Sequence, residues 1–168
     1  MKLSLRFLLI LTPFLLISCG SENNHPPKIE GTITQFGVYK RTGIVKREYA
    51  KNTAAGLISS SIIEFQEQTT SLSAELEKGF GFDYILTTDS DIASAKIDFV
   101  GYHPPITNPR GQTYEIDRFS RVIHFDEGQY NNSIIHGFSQ EWEMVPGTWK
   151  LEMWYEEDLL LTKTFEVH

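Results

Sequence analysis

The sequence predicts an all-β chain, an antiparallel β-sandwich of about seven to eight short strands. Three observations predict it. Apolar and polar residues alternate with a period of two along much of residues 29–167, as half-buried strands require. Turn-forming clusters of Pro, Gly, Asn and Asp interrupt that alternation at short intervals, and helical periodicity is almost absent. Two alternating runs at the C-terminal end, joined by a few polar residues, have the form of a β-hairpin.

Taken in order, the first element is not part of the sandwich. Lys2 and Arg6 give a positively charged start, and only Thr12 and Pro13 interrupt the apolar run from Phe7 to Ile17. That arrangement marks a secretory signal peptide. The run falls short of the about 20 apolar residues that span a bilayer, and Pro13 would break a helix in its middle. Leu16-Ile17-Ser18-Cys19 resembles the lipobox of bacterial lipoproteins. The resemblance implies a diacylglyceryl thioether on Cys19 and removal of residues 1–18. Cys19 is the only cysteine in the chain, so no disulfide framework competes for it. Each buried CH₂ contributes about 0.8 kcal/mol, so two or three acyl chains hold a protein on a membrane without a further binding surface.

Residues 19–28 are polar and contain adjacent prolines, which reads as a tether. Fully extended, its residues after Cys19 reach about 30 Å. His25 is read as part of it. Without Lys2 and Arg6, 13 basic residues face 22 acidic ones, a formal charge of −9. Such a balance disfavours nucleic acid, whose phosphates demand clustered Lys and Arg, and disfavours lying on anionic lipid. An aromatic content of 12% argues for a packed core over residues 29–168.

Within that domain, residues 30–40 are rich in β-formers. Residues 41–50 are polar and suit a loop or an irregular edge strand, whereas residues 57–68 alternate again. Residues 71–77 alone have some helical character. The clearest strand is 80–87, with Phe80, Phe82, Tyr84 and Leu86 on one face. Residues 95–102 follow, and His103-Pro104-Pro105 is expected to end them, because proline donates nothing to a ladder. Further strands are expected at 114–125 and 134–142, with a turn-rich stretch at 126–132 between them. After the turn Val145-Pro146-Gly147-Thr148, residues Trp149, Leu151, Met153 and Tyr155 share a face, and 159–167 return.

The run Phe80-Gly81-Phe82, the Pro-Pro after a strand, and Val145-Pro146-Gly147-Thr148-Trp149 leading to Phe165-Glu166-Val167 resemble an uncharacterised bacterial family, domain-of-unknown-function family 3859. The resemblance spans roughly residues 35–167. It implies an immunoglobulin-like sandwich and supplies no activity. The Cys…Trp…Cys pattern of antibody domains is missing.

Catalytic templates are missing too: there is no Gly-x-Ser-x-Gly elbow, no His-Glu-x-x-His and no Gly-rich phosphate loop. His103, His124 and His136 would ligate a metal only by converging with Asp98, Asp126 or Glu141, and nothing in their spacing requires that. The carboxylate pairs Asp89/Asp91 and Glu156/Asp158 sit where turns place acids anyway. No metal or cofactor is therefore expected. Alternation turns Trp154 away from the inward face of its strand, which makes it a candidate binding anchor unless a neighbour covers it. Trp142 and Trp149 are read as core.

These readings lead to a membrane-tethered, non-catalytic binding or envelope-associated module with a protein partner in the envelope. An envelope enzyme or a carbohydrate-binding accessory module is the alternative, requiring a concave site. Gly20 follows Cys19 where inner-membrane retention uses Asp, so an outer membrane is favoured where the cell has one.

Overall fold

The computed structural model describes residues 27–89 and 91–168. The expected signal peptide, Cys19 and most of the expected tether lie outside the described residues. Nine strands run in chain order as β1 (Ile29–Tyr49), β2 (Leu57–Glu67), β3 (Ser71–Leu72), β4 (Lys78–Thr88), β5 (Ser94–Thr107), β6 (Thr113–His124), β7 (Gln129–Gly137), β8 (Gly147–Tyr155) and β9 (Asp158–Val167). They form a four-stranded sheet, β2-β1-β4-β7, and a five-stranded sheet, β3-β9-β8-β5-β6. All pairings are antiparallel except β3 with β9.

The expected sandwich is therefore present, and its core follows the alternation. Phe80, Phe82, Tyr84 and Leu86 of β4 meet Trp149, Met153 and Phe165 of β8 and β9, and each of these is at most 2% exposed. The C-terminal hairpin pairs Trp149 with Phe165 and Tyr155 with Asp158. Helical segments are limited to one 3₁₀ turn (Glu141–Glu143) among the described residues, and no helix there is long and apolar enough to cross a membrane.

Three local expectations need correction, and one left open is decided. Residues 41–50 are the irregular edge strand and not the loop: β1 continues to Tyr49 and pairs with β2 across register shifts at Val38/Tyr39, Arg41/Gly43 and Ile44/Lys46. Those bulges scramble the period of two, which hides a strand from its sequence. His103-Pro104-Pro105 does not end β5. The register jumps from Tyr102↔Ile116 to Ile106↔Tyr114, so three residues of β5 oppose one of β6 and the prolines sit in a bulge that asks no ladder hydrogen bond of them. Residues 71–77 form no helix. Ser71–Leu72 pairs with β9, and Glu77 turns the chain at a φ of 66°. The strand expected at 134–142 starts earlier, at Gln129, and ends at Gly137, leaving Trp142 in the 3₁₀ turn.

One feature positions the candidate site. The first half of β1 pairs with β4, whereas its second half pairs only with β2. The β1–β2 hairpin thus extends beyond the smaller sheet as an arm. Gly37 lies at its root with a φ of +147°, and a Cβ there would stand 1.9 Å from the carbonyl oxygen of Glu67. No other residue fits both that backbone and that approach.

Candidate functional site: a cleft under the arm

The tip of the arm docks on the edge of the larger sheet. Arg118 N–H donates to the Asn52 carbonyl (2.8 Å), Ala54 N–H to Asp117 Oδ1 (2.6 Å), and Asn108 Nδ2 to the Ala54 carbonyl (3.3 Å). Between the arm, β7 and the inner face of β5, β6 and β8 lies a cleft of about 700 Å³. That volume is in the range that encloses a small ligand. Phe99 and Phe119 stack in its wall, ring centroids 4.9 Å apart and nearly parallel.

Alternation along β6 places Asp117, Phe119 and Arg121 on the face toward the smaller sheet, opposite Gly101, Phe99 and Ile97. β7 presents His136, Ile134 and Asn132 from the other side, through pairing with Phe80, Phe82 and Tyr84. The arm contributes Arg47, Ser59 and Ser61.

One end of the cleft is acidic. His103 lies behind Asp117 with its side chain 1% exposed and Nε2 3.5 Å from Asp117 Oδ1. Its Nδ1 is 2.8 Å from the Pro104 carbonyl oxygen. Burial lowers the pKa of this imidazole, but Asp117 and the Pro104 carbonyl together raise it above the usual histidine value, because the cation satisfies both acceptors. His136 has no such support. Its ring packs 4.5 Å from Trp149 and 5.5 Å from Phe80, and its Nε2 is buried without a hydrogen-bond partner. Burial pushes its pKa down to about 4. Glu143 accepts the backbone N–H groups of Ser139 (2.6 Å) and Gln140 (2.9 Å), yet burial still raises its pKa.

The other end is basic. Arg121 lies 5.6 Å from the centroid of Phe119, and its Nε is buried with no acceptor. Arg41 belongs instead to the acidic end, beside Ser139 and Glu143, and is engaged there: it grips Glu77 through Nε (3.0 Å) and Nη2 (2.7 Å), and Ser139 through Nη1 (2.8 Å).

Asp117 links the arm to the sheet, and its loss has a direct consequence. In Asp117→Ala the Ala54 amide loses its acceptor and His103 its anion. The expected cost is about 1–2 kcal/mol, with faster tryptic cleavage after Lys51 and faster amide exchange at Ala54. An unchanged cleavage rate would show that the other two contacts hold the tip alone.

Trp154 lies on the outer face of the larger sheet, opposite Asp98. It is half-buried, and its indole N–H donates to Glu152 Oε2 at 3.0 Å. Glu152 also binds Lys150 (2.7 Å), whose ammonium sits 4.3 Å from the Tyr102 ring centroid. Glu152, a neighbour on the same strand, thus occupies the polar edge of Trp154. His103 and His136 do converge, each against Trp149 (4.9 and 4.5 Å), but only His103 approaches a carboxylate, and that is Asp117 rather than Asp98, Asp126 or Glu141; His124 is exposed. Among the described residues, no group of three His, Cys, Asp or Glu side chains is placed to hold a metal ion. Sequence reasoning missed Asp117, Arg121 and the arm. A charge in an alternating strand reads as outward-facing, and only the apolar Phe119 and Ile123 in the same register signal otherwise.

Residues 28–167 match the family described as "Domain of unknown function (DUF3859)". No curated protein matches the chain. Its fold is similar to that of an immunoglobulin-like protein from Pseudomonas aeruginosa, at 21% identity and a TM-score of 0.59, covering 84% of this chain and 97% of that one. A β-glucosidase from Listeria innocua shares 10% identity over 84% of this chain and 16% of its own, with a TM-score of 0.45. The first likeness shows an immunoglobulin-like fold; the second is too distant to bear on function.

Proposed function

Because the chain belongs to the DUF3859 family, whose description lends no activity, we propose from its own geometry that it is a lipid-anchored binding module of the cell envelope. The cleft under the arm is its binding site. One observation carries this reading: a concave space of about 700 Å³ is closed by a hairpin that departs from its own sheet and docks on the other. The polar groups in it suit recognition better than chemistry. Both nitrogens of His103 already face acceptors, and neither cleft histidine is hydrogen-bonded to a hydroxyl among the described residues. A serine–histidine pair, one starting point of covalent catalysis, is therefore not assembled there among the described residues; Ser133, which also lines the cleft, donates its hydroxyl to Asp83 at 2.6 Å. Trp154 is the lesser candidate, since Glu152 occupies its N–H and it stands on an open sheet face.

Tethering rests on the lipobox-like Leu16-Ile17-Ser18-Cys19 and the lone cysteine. The envelope location follows from it, with the outer membrane favoured by Gly20.

One experiment tests both parts. The full chain is expressed with a photo-crosslinking benzophenone residue at Ser61, in the cleft, or at Thr162, on the outer face, each with and without Cys19→Ser. Expected are specific crosslinks from position 61 and not 162, acyl labelling that requires Cys19, and release from membranes in Cys19→Ser. Crosslinks from 162 alone would move the binding site to the Trp154 face. Labelling that persists in Cys19→Ser would refute the anchor.

A further inference from the structure

We infer that the cleft binds a small molecule that joins a carboxylate to a flat apolar body, with Arg121 and Arg47 as the carboxylate's receptors. This rests on the cleft being the binding site, and adds the chemical class of its ligand.

The starting point is an accounting of buried polar atoms. Folded proteins rarely leave such atoms without partners, and each one calls for an account: strain, chemistry, an ordered water or a bound partner. Four side-chain atoms are in that position among the described residues: Tyr39 Oη, His103 Nε2, Arg121 Nε and His136 Nε2. Tyr39, Arg121 and His136 line the cleft, and His103 faces its Asp117. The Tyr39 hydroxyl and His103 each have a nearby carboxylate, Asp83 and Asp117, to account for them. Arg121 Nε and His136 Nε2 have none within hydrogen-bond reach, and Asp117 acts on His136 only through longer-range attraction.

Arg121 determines the charge of the ligand. A guanidinium carries only donors, so its buried Nε–H calls for an acceptor. Arg47, also lining the cleft, forms no ion pair among the described residues. The carboxylate that senses Arg121 from the arm is Glu48, and it is already bound to Lys46 at 2.8 Å. Arg47 is exposed and solvent serves it in the free chain, so Arg121, with its buried Nε, is the receptor that fixes the charge and Arg47 the one that adds to it. Arginine's planar fork matches a carboxylate in two parallel hydrogen bonds.

The rest of the cleft limits that charge to one and shapes the remainder. Asp117 and Glu143 stand toward the other end, and His136 is neutral at physiological pH with a pKa near 4, so a phosphate dianion would meet too few donors and too many acids. Asp117 and Arg121 are four residues apart on one strand face, about 13 Å by strand rise. Between them lies the stacked Phe99–Phe119 wall, which accepts a flat apolar group. Ser59, Ser61 and Asn132 supply neutral hydrogen bonds around it.

The test uses two probes of one shape, dansylglycine and its uncharged amide, with the full chain carrying Cys19→Ser so that no acyl chain competes. Binding is read by dansyl fluorescence. Expected is at least about tenfold tighter binding of the carboxylate than of the amide, the size of one hydrogen bond to a charged group. Arg121→Gln removes that preference and leaves amide binding unchanged; Arg47→Gln, on the arm and unable to disturb the core, reduces it about threefold. Arg121→Lys retains part of it, and Arg110→Gln, in an exposed turn, has no effect. Thermal melting confirms that each variant is folded. Equal binding of the two probes, a preference that survives Arg121→Gln, or binding of neither probe would overturn the inference. The cleft itself would still stand or fall on the crosslinks from Ser61.

Discussion

Trp149→Ala is expected to lower stability by about 3–5 kcal/mol, with a melting temperature lower by roughly 10 °C. The indole is 0% exposed, and its ring contacts Phe80 (5.5 Å), Phe138 (6.2 Å), His103 (4.9 Å) and His136 (4.5 Å). Its N–H donates to the Val145 carbonyl at 3.1 Å and so ties β8 to the turn before it. Truncation would remove the transfer energy of a large aromatic, open a cavity, and orphan that carbonyl. It would also unseat the two histidines, so the loss extends from the core to the floor of the cleft. Trp149→Phe keeps a ring and should recover about half of the loss. Denaturant melts of the three proteins check this, and a loss below about 1 kcal/mol for Trp149→Ala would mean that the site collapses to fill the space.

Why Trp149 could be assigned to the core from sequence, and the cleft could not, has a physical answer. Strand β8 alternates without a bulge until Met153/Trp154, so one inward residue assigns all the others. Phe80 to Leu86 behave alike, because nine consecutive pairs with β7 run in register. The period of two is a local property, and where the ladder is regular it survives into the fold. β1 shows the opposite. Its shifts at Ile33/Gln35, Arg41/Gly43 and Ile44/Lys46 each insert one residue in β1 and change which parity faces inward, and the shift at Val38/Tyr39 inserts one in β2. A strand of 21 residues then reads as a short strand followed by a polar loop or irregular edge strand. Residues 71–77 mislead in another way. Leu72 and Leu76 have helical spacing, but Leu72 is buried by β3 joining β9, while Leu76 is 46% exposed.

The candidate site was the least legible part, since it exists only where separate elements meet. Asp117 and Arg121 are charges on the inward face of an edge strand, a placement that also discourages edge-to-edge aggregation. Nothing in β6 alone announces the arm that covers them. His136 was visible as a histidine on a strand, but its neutrality comes from Phe80, Phe138 and Trp149, which arrive from two other strands and a loop.

That neutrality produces the second large effect, a loss of stability in acid that belongs to one residue. The folded-state pKa of His136 is depressed from 6.5 to about 4 by burial. Between those values the unfolded chain takes up a proton that the folded chain refuses. Stability contributed by this site is therefore complete above pH 6.5 and declines as pH falls toward about 4, below which the loss is constant. At 1.36 kcal/mol per unit, the upper bound is about 3 kcal/mol. Two neighbours act in the opposite sense. The raised pKa of His103 favours the folded state as pH falls through its titration, and the raised pKa of Glu143 does so at lower pH. A single profile mixes all three, so the informative quantity is a difference. Urea melts of the wild type and His136→Phe from pH 4 to 8 should diverge, the wild type losing about 3 kcal/mol more than the variant across pH 6.5 to 4. Parallel profiles would mean that His136 is protonated in the fold, reaching an acceptor or water through the cleft. In that case the cleft would carry a positive charge at its acidic end, and the preference of Arg121 for a single carboxylate would have to be judged against it.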